Sequence, residues 1–166
     1  MNEDVSFLLK HRRNGALIDA NLLLVYVVGK TDKSWLSRLQ HTKQYEQDFP
    51  LIEATIEFFP RIYTTPNILT ETSNLGKKVG EQFFRTLGRV ISVLDERYCV
   101  SREAAADRHF CKLGLTDAGL LAIADQMLVV TTDFTLFRML RAQNLDAVNF
   151  NHLRPFGWAG MKLFLA

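Results

Sequence analysis

Cysteine is scarce in this chain. Cys99 and Cys111 are the only two, too few for a disulfide framework and without the short paired spacing that zinc sites use. Both read as reduced thiols serving as small buried side chains. Long hydrophobic runs are missing too: Asp19 and Asn21 interrupt the longest one before it reaches the roughly 20 residues that cross a bilayer, so no membrane partner is expected. The opening stretch, "MNEDVSFLLKHRRNG", sets acids ahead of its basic group. That is the reverse of a secretory signal, and cytoplasmic residence is the expectation.

Strong net charge is absent as well. At +2, bulk electrostatics neither demands nor excludes a polyanionic partner. His11, His41, His109 and His152 show no H-x-x-x-H spacing, which argues against a histidine-ligated transition metal. No glycine-rich phosphate loop, internal repeat, low-complexity segment or linker interrupts the chain. What is present is the balance of an ordinary globular protein, 48% hydrophobic and 23% charged over 166 residues. This suits one domain over 1–166, with a core at about 15–150 and an apolar tail at 151–166 that docks either on the domain or on a partner.

Periodicity predicts strands and helices in alternation. Residues 16–19 read as a strand that enters a helix through "NLLLVYVV", with Gly29 as its C-terminal cap. "TDKSWLSRLQ" and "FPLIEATIEFF" suggest helices, "RIYTT" a strand, and Pro66 the start of the next helix. Over 81–98, apolar residues recur at three- and four-residue spacing, predicting a long amphipathic helix followed by a short extended "CV". Ser101 caps a helix over 102–114, and Thr116 caps the next, "DAGLLAIAD". "MLVVTTD", "FTLFRMLRAQ" and "DAVNF" complete the series as strand, helix and strand. Such alternation predicts an α/β fold with a mostly parallel central sheet covered by helices on both faces.

In such a sheet, ligands bind beyond the carboxyl ends of the strands. Asp19 ends the first strand and Asp133 the strand "MLVVTT". Glu71 borders the buried face of its helix, beside Ile68 and Leu75, and Asp117 borders the buried face of another, beside Leu120 and Ala124. Each acid has an ordinary structural explanation: Asp133 as a helix cap, Asp117 as a first-turn acid favoured by the macrodipole, Glu71 as an edge residue. Asp19 is different, because a carboxylate inside an apolar strand requires a strong hydrogen-bonding partner or a cation. Together the four are expected in one cleft. Glu53, Glu57 and Asp125 do not share the placement; the first two suit a solvated helix face.

Crowded carboxylates repel one another unless a cation neutralises them. All-oxygen ligation suits Mg²⁺ or Mn²⁺, which can activate water and stabilise charge on a phosphoryl oxygen. Phosphodiester hydrolysis is the chemistry that follows.

The motifs "LIDANLLL", "TPNILTETSNL", "LGLTDAGLLAIA" and "LVVTTDFTLF" resemble, in order and spacing, the four acidic motifs of PIN-domain ribonucleases. Intervals of 52, 46 and 16 residues separate their acids, and the resemblance covers roughly residues 15 to 150. It implies a three-layer α/β/α sandwich in which Asp19, Glu71, Asp117 and Asp133 bind Mg²⁺ or Mn²⁺ and cleave RNA. Thr131 or Thr132 matches a hydroxyl residue supporting the last acid, and Asn21 a polar position that helps to orient the first. Many small PIN proteins are toxins with a cognate antitoxin, often as homodimers; the segment at 30–60 and the tail depart from that compact pattern.

Three other readings stand beside this one. A haloacid-dehalogenase-like phosphatase needs a second acid two residues after the first, where this chain has Asn21. A PIN-like module binding RNA or protein without cutting is the main alternative, and a metal-free domain whose acids are caps is the third. "KHRR" at 10–13 and Lys77, Lys78, Arg85, Arg89, Arg97, Arg102 and Arg108 are candidates for phosphate contact or ordinary surface charge.

Overall fold

The computed structural model describes residues 3–157, 160 and 162. Its elements run α1 (Glu3–Lys10), β1 (Ala16–Ile18), α2 (Ala20–Thr31), α3 (Phe49–Glu57), β2 (Ile62–Thr64), α4 (Pro66–Gly76), α5 (Glu81–Ile91), β3 (Asp95–Glu96), α6 (Ser101–Ala106), α7 (Phe110–Ile123), β4 (Leu128–Thr131), α8 (Phe134–Ala142), β5 (Ala147–Asn149) and α9 (Phe150–Leu153). All five strands pair in parallel, in the order β3-β2-β1-β4-β5. The architecture is the expected α/β sandwich of three layers.

Four strands are short, apolar and buried along their whole length, as a sheet covered on both faces requires. Helix α2 sits centrally, packed against α3, α4 and α5. Nearly all its side chains are apolar and most are buried, the pattern of a helix enclosed on every side. The chain leaves β1 toward β2 on one flank and returns to β4 on the other. The crevice between the ends of β1 and β4 is thus the topological switch point of the sheet, where open α/β folds hold their ligands.

Several local expectations change. Gly29 is not a cap: α2 continues to Thr31, and the missing side chain instead admits the Phe49 ring, which an added Cβ would meet at 2.0 Å. The stretch expected as a helix from 31 to 40 forms a short 3-10 turn at Lys33–Trp35 and further turns. Helix α5 ends at Ile91, and the third strand falls at Asp95–Glu96, inside the helix expected to reach 98. That strand is a two-residue exposed sheet edge, so no buried apolar pattern marks it. The helix expected over 102–114 is divided into α6 and α7. Gly114, at φ +75°, breaks α7 where one helix was expected to stop and another to begin. Helix α1 was not anticipated.

Cys111 is exposed and Cys99 half-buried, both free thiols, so neither is the buried side chain expected. Glu53 and Glu57 do form a helix face, where Lys30 bridges them at 2.7 and 2.9 Å. The first part of the tail docks on the domain: Leu153 is buried, and Arg154 pairs with Asp48 at 2.7 Å. The remainder of the tail lies outside the described residues except at 160 and 162. No helix among the described residues is long and apolar enough to cross a membrane.

Candidate metal and phosphodiester site

Strands β1 and β4 lie side by side, with Ile18 beside Val130, so the residues that follow them meet. The Asp19 backbone N–H donates to Val130 O at 3.2 Å. The residue is only 4% exposed, and its carboxylate persists there because donors surround it. Oδ1 accepts from the Leu22 N–H at 2.8 Å, capping α2. Oδ2 accepts from Thr131 Oγ1 at 2.6 Å and from the Thr132 backbone N–H at 2.7 Å. Burial pushes the Asp19 carboxyl above its usual range, and these hydrogen bonds oppose the shift.

Thr131 serves two acids. Its hydroxyl donates to Asp19 and accepts from the Asp133 backbone N–H at 2.9 Å. Asp133 caps α8, with Oδ1 accepting from the Leu136 N–H at 2.9 Å. Asn21 is half-buried in the first turn of α2; the donors to the Asp19 carboxylate are Leu22, Thr131 and Thr132.

Glu71 stands half-buried in the middle of α4 and Asp117 half-buried on α7, beyond the Gly114 break. The Asp117 carboxyl is pushed up to about 7, first by burial and then by the negative charges of Asp19, Asp133 and Glu71. The charges of the other three expected acids therefore all reach Asp117. The four do not form a tight cluster: among the described residues no group of three or more His, Cys, Asp or Glu side chains is drawn together enough to hold a metal ion.

The donor chemistry suits a hard divalent cation. Carboxylate oxygens and a threonine hydroxyl are hard ligands, and positive charge would relieve the repulsion that raises Asp117. Asp19 Oδ1 accepts one hydrogen bond and retains a lone pair for a ligand.

Sequence reading missed the shell behind Thr132. Tyr45, buried in the segment between α2 and α3, interacts with Thr132 and Asn151; burial raises its phenol pKa, those hydrogen bonds oppose the shift, and the Asp19 charge adds to it. Asn151 Nδ2 donates to Thr132 O at 3.2 Å, and its backbone N–H to Asn149 Oδ1 at 2.9 Å. Asn149 had a legible signal, a polar residue closing an apolar strand as Asp19 does. Tyr45 had none, because its segment carries no periodic pattern.

Comparison with models of protein families, with curated proteins and with solved structures yields no match.

Proposed function

We propose that this protein is a divalent-metal-dependent endoribonuclease of PIN type, hydrolysing RNA phosphodiester bonds. The observation that supports the reading is that Asp19, Glu71 and Asp133 all lie near enough to Asp117 for their charges to add to the burial that raises its carboxyl to about 7. Bound there, Mg²⁺ or Mn²⁺ would supply an activated water and charge stabilisation at the phosphate. The chain's own residues divide the remaining work. Thr131 and Thr132 hold Asp19 in place, and Asp117 must lose its proton to act as a ligand. Beyond Glu71 on α4, a hollow of about 210 Å³ is lined by His41, Asn74, Lys77 and Lys78 among others, with the charge to meet RNA phosphates. A toxin role, with an antitoxin partner and a homodimeric state, rests on the family resemblance alone, and cytoplasmic residence on the order of charges in the opening stretch.

A second reading has an observation of its own. Asp19 and Asp133 each spend an oxygen as a helix cap, which suits a PIN-like module that binds RNA or protein without cutting. Incubation of labelled RNA with Mn²⁺ separates the two. Under the nuclease reading wild type cleaves, and Asp19→Asn and Asp117→Asn abolish cleavage while circular dichroism stays native. Cleavage that persists in excess EDTA rejects the metal mechanism. A folded wild type that neither cleaves RNA nor binds Mn²⁺ by calorimetry supports the binding module.

A further inference from the structure

Asn151 lies in the first turn of α9, far in sequence from Asp19, yet hydrogen bonds lead from its side chain to that carboxylate without a gap. Its Nδ2 donates to Thr132 O at 3.2 Å and to Asn149 Oδ1 at 3.0 Å, and its Oδ1 accepts from Arg154 Nη1 at 3.5 Å. Only this orientation of the amide satisfies its partners: reversed, its oxygen would meet two acceptors and its nitrogen a guanidinium. Arg154 is itself pinned, donating to Asp48 at 2.7 Å and to Gln44 O at 3.1 Å.

The next links share a peptide group. Thr132 C=O and Asp133 N–H belong to one planar amide, so the carbonyl that accepts from Asn151 sits on the unit whose N–H donates to Thr131 Oγ1 at 2.9 Å. That hydroxyl in turn donates to Asp19 Oδ2 at 2.6 Å. Every donor points the same way, from Arg154 toward the carboxylate, an arrangement in which each bond polarises and strengthens the next. One carboxylate oxygen is held as a result. Oδ2 is taken up by Thr131 and Thr132, while Oδ1 accepts only the Leu22 N–H among the described residues and keeps a lone pair for a cation. We propose that Asn151 is a positioning residue for Asp19, fixing the carboxylate for a divalent cation through Thr132, Asp133 and Thr131, a role that rests on the metal-dependent reading.

Calorimetry with Mn²⁺ and amide NMR of the full chain, starting from metal-free protein, test the relay. Asn151→Ala, checked for native circular dichroism, is expected to raise the Mn²⁺ Kd by about tenfold, as loss of an outer-shell partner does, and to move the Asp133 amide proton upfield before metal is added. In a Thr131→Val background, where the relay is already cut, the same substitution is expected to raise the Kd no further. A purely structural asparagine would lower Tm and leave both the Kd and the Asp133 proton unchanged. An unchanged Kd in Asn151→Ala, or the full tenfold rise repeated in Thr131→Val, overturns the role. Should Asn151→Ala fail to fold, Asn151→Ser, too short to reach the Thr132 carbonyl, is read in the same way. If wild type binds no Mn²⁺, the metal-dependent reading fails by itself, and the metal-free spectra decide the link to Asp19: an upfield Asp133 proton in Asn151→Ala upholds it, and an unmoved one overturns it.

Discussion

Asp19 and Asp117 show two ways in which one fold treats a buried carboxylate. Asp19 is enclosed but surrounded by donors from α2 and from the end of β4. Asp117 faces three like charges. In the unfolded chain the Asp117 carboxyl titrates near its ordinary 3.8, and in the fold at about 7. Between those values the folded protein binds a proton that the unfolded chain has released, so stability falls as pH rises through the window and levels off above it. Asp117→Asn removes this loss. In chelated buffer the variant is expected to exceed wild type by about 2–4 kcal/mol at pH ~8, with the difference shrinking toward pH ~4. Urea unfolding at the two pH values measures it, and equal stability at the higher pH would show that burial and the neighbouring charges do not hold the carboxyl up.

At the scale of elements, α2 and α3 show how packing overrides a local signal. A glycine near the end of an apolar run is a natural C-cap, yet Gly29 lies within α2 beneath the Phe49 ring. Two effects oppose each other in Gly29→Ala. Alanine favours the helix by about 1 kcal/mol, while its methyl group at 2.0 Å from Phe49 forces the ring away, at about 1–3 kcal/mol. Because Phe49 is buried and anchors α3, overpacking wins. The expected result is a lowered Tm; a raised one would mean that the ring moves aside freely.

Across the whole molecule, hydrogen bonds and ion pairs join α1 and His11 to the segment 141–152. Asp146 takes Lys10 at 2.6 Å and His11 at 2.7 Å, His152 meets Asp4 at 2.9 Å, and Arg141 pairs with Glu3. Burial pushes the Asp146 carboxyl up, but the hydrogen bonds from His11 and Lys10 outweigh it and the net shift is downward. A depressed carboxyl stabilises the fold above its unfolded pKa, and that contribution disappears as pH falls through the folded value. Asp146→Asn is therefore expected to cost about 1 kcal/mol at neutral pH, since Lys10 is exposed and its share is screened, and nothing in strong acid. Chemical denaturation across that range measures the cost, and a pH-independent difference would point to packing instead of charge.

The alternation of apolar runs and the cap at Asp133 were legible in the sequence, because helix periodicity and capping are local. So was the departure of Asp19 from its apolar surroundings, since a buried carboxylate contradicts its neighbours in the chain. Two things were not legible. The edge strand at Asp95–Glu96 is exposed and two residues long, so it has no pattern to read. The shell of Tyr45, Asn149 and Asn151 behind Thr132 joins segments far apart in sequence. The sequence by itself determined the α/β alternation and which acids stood out of place. Only the tertiary structure decided that β1 and β4 lie side by side, because strand order depends on how the helices pack across the sheet, and that neighbourhood is what sets the charge of one carboxylate against the other three.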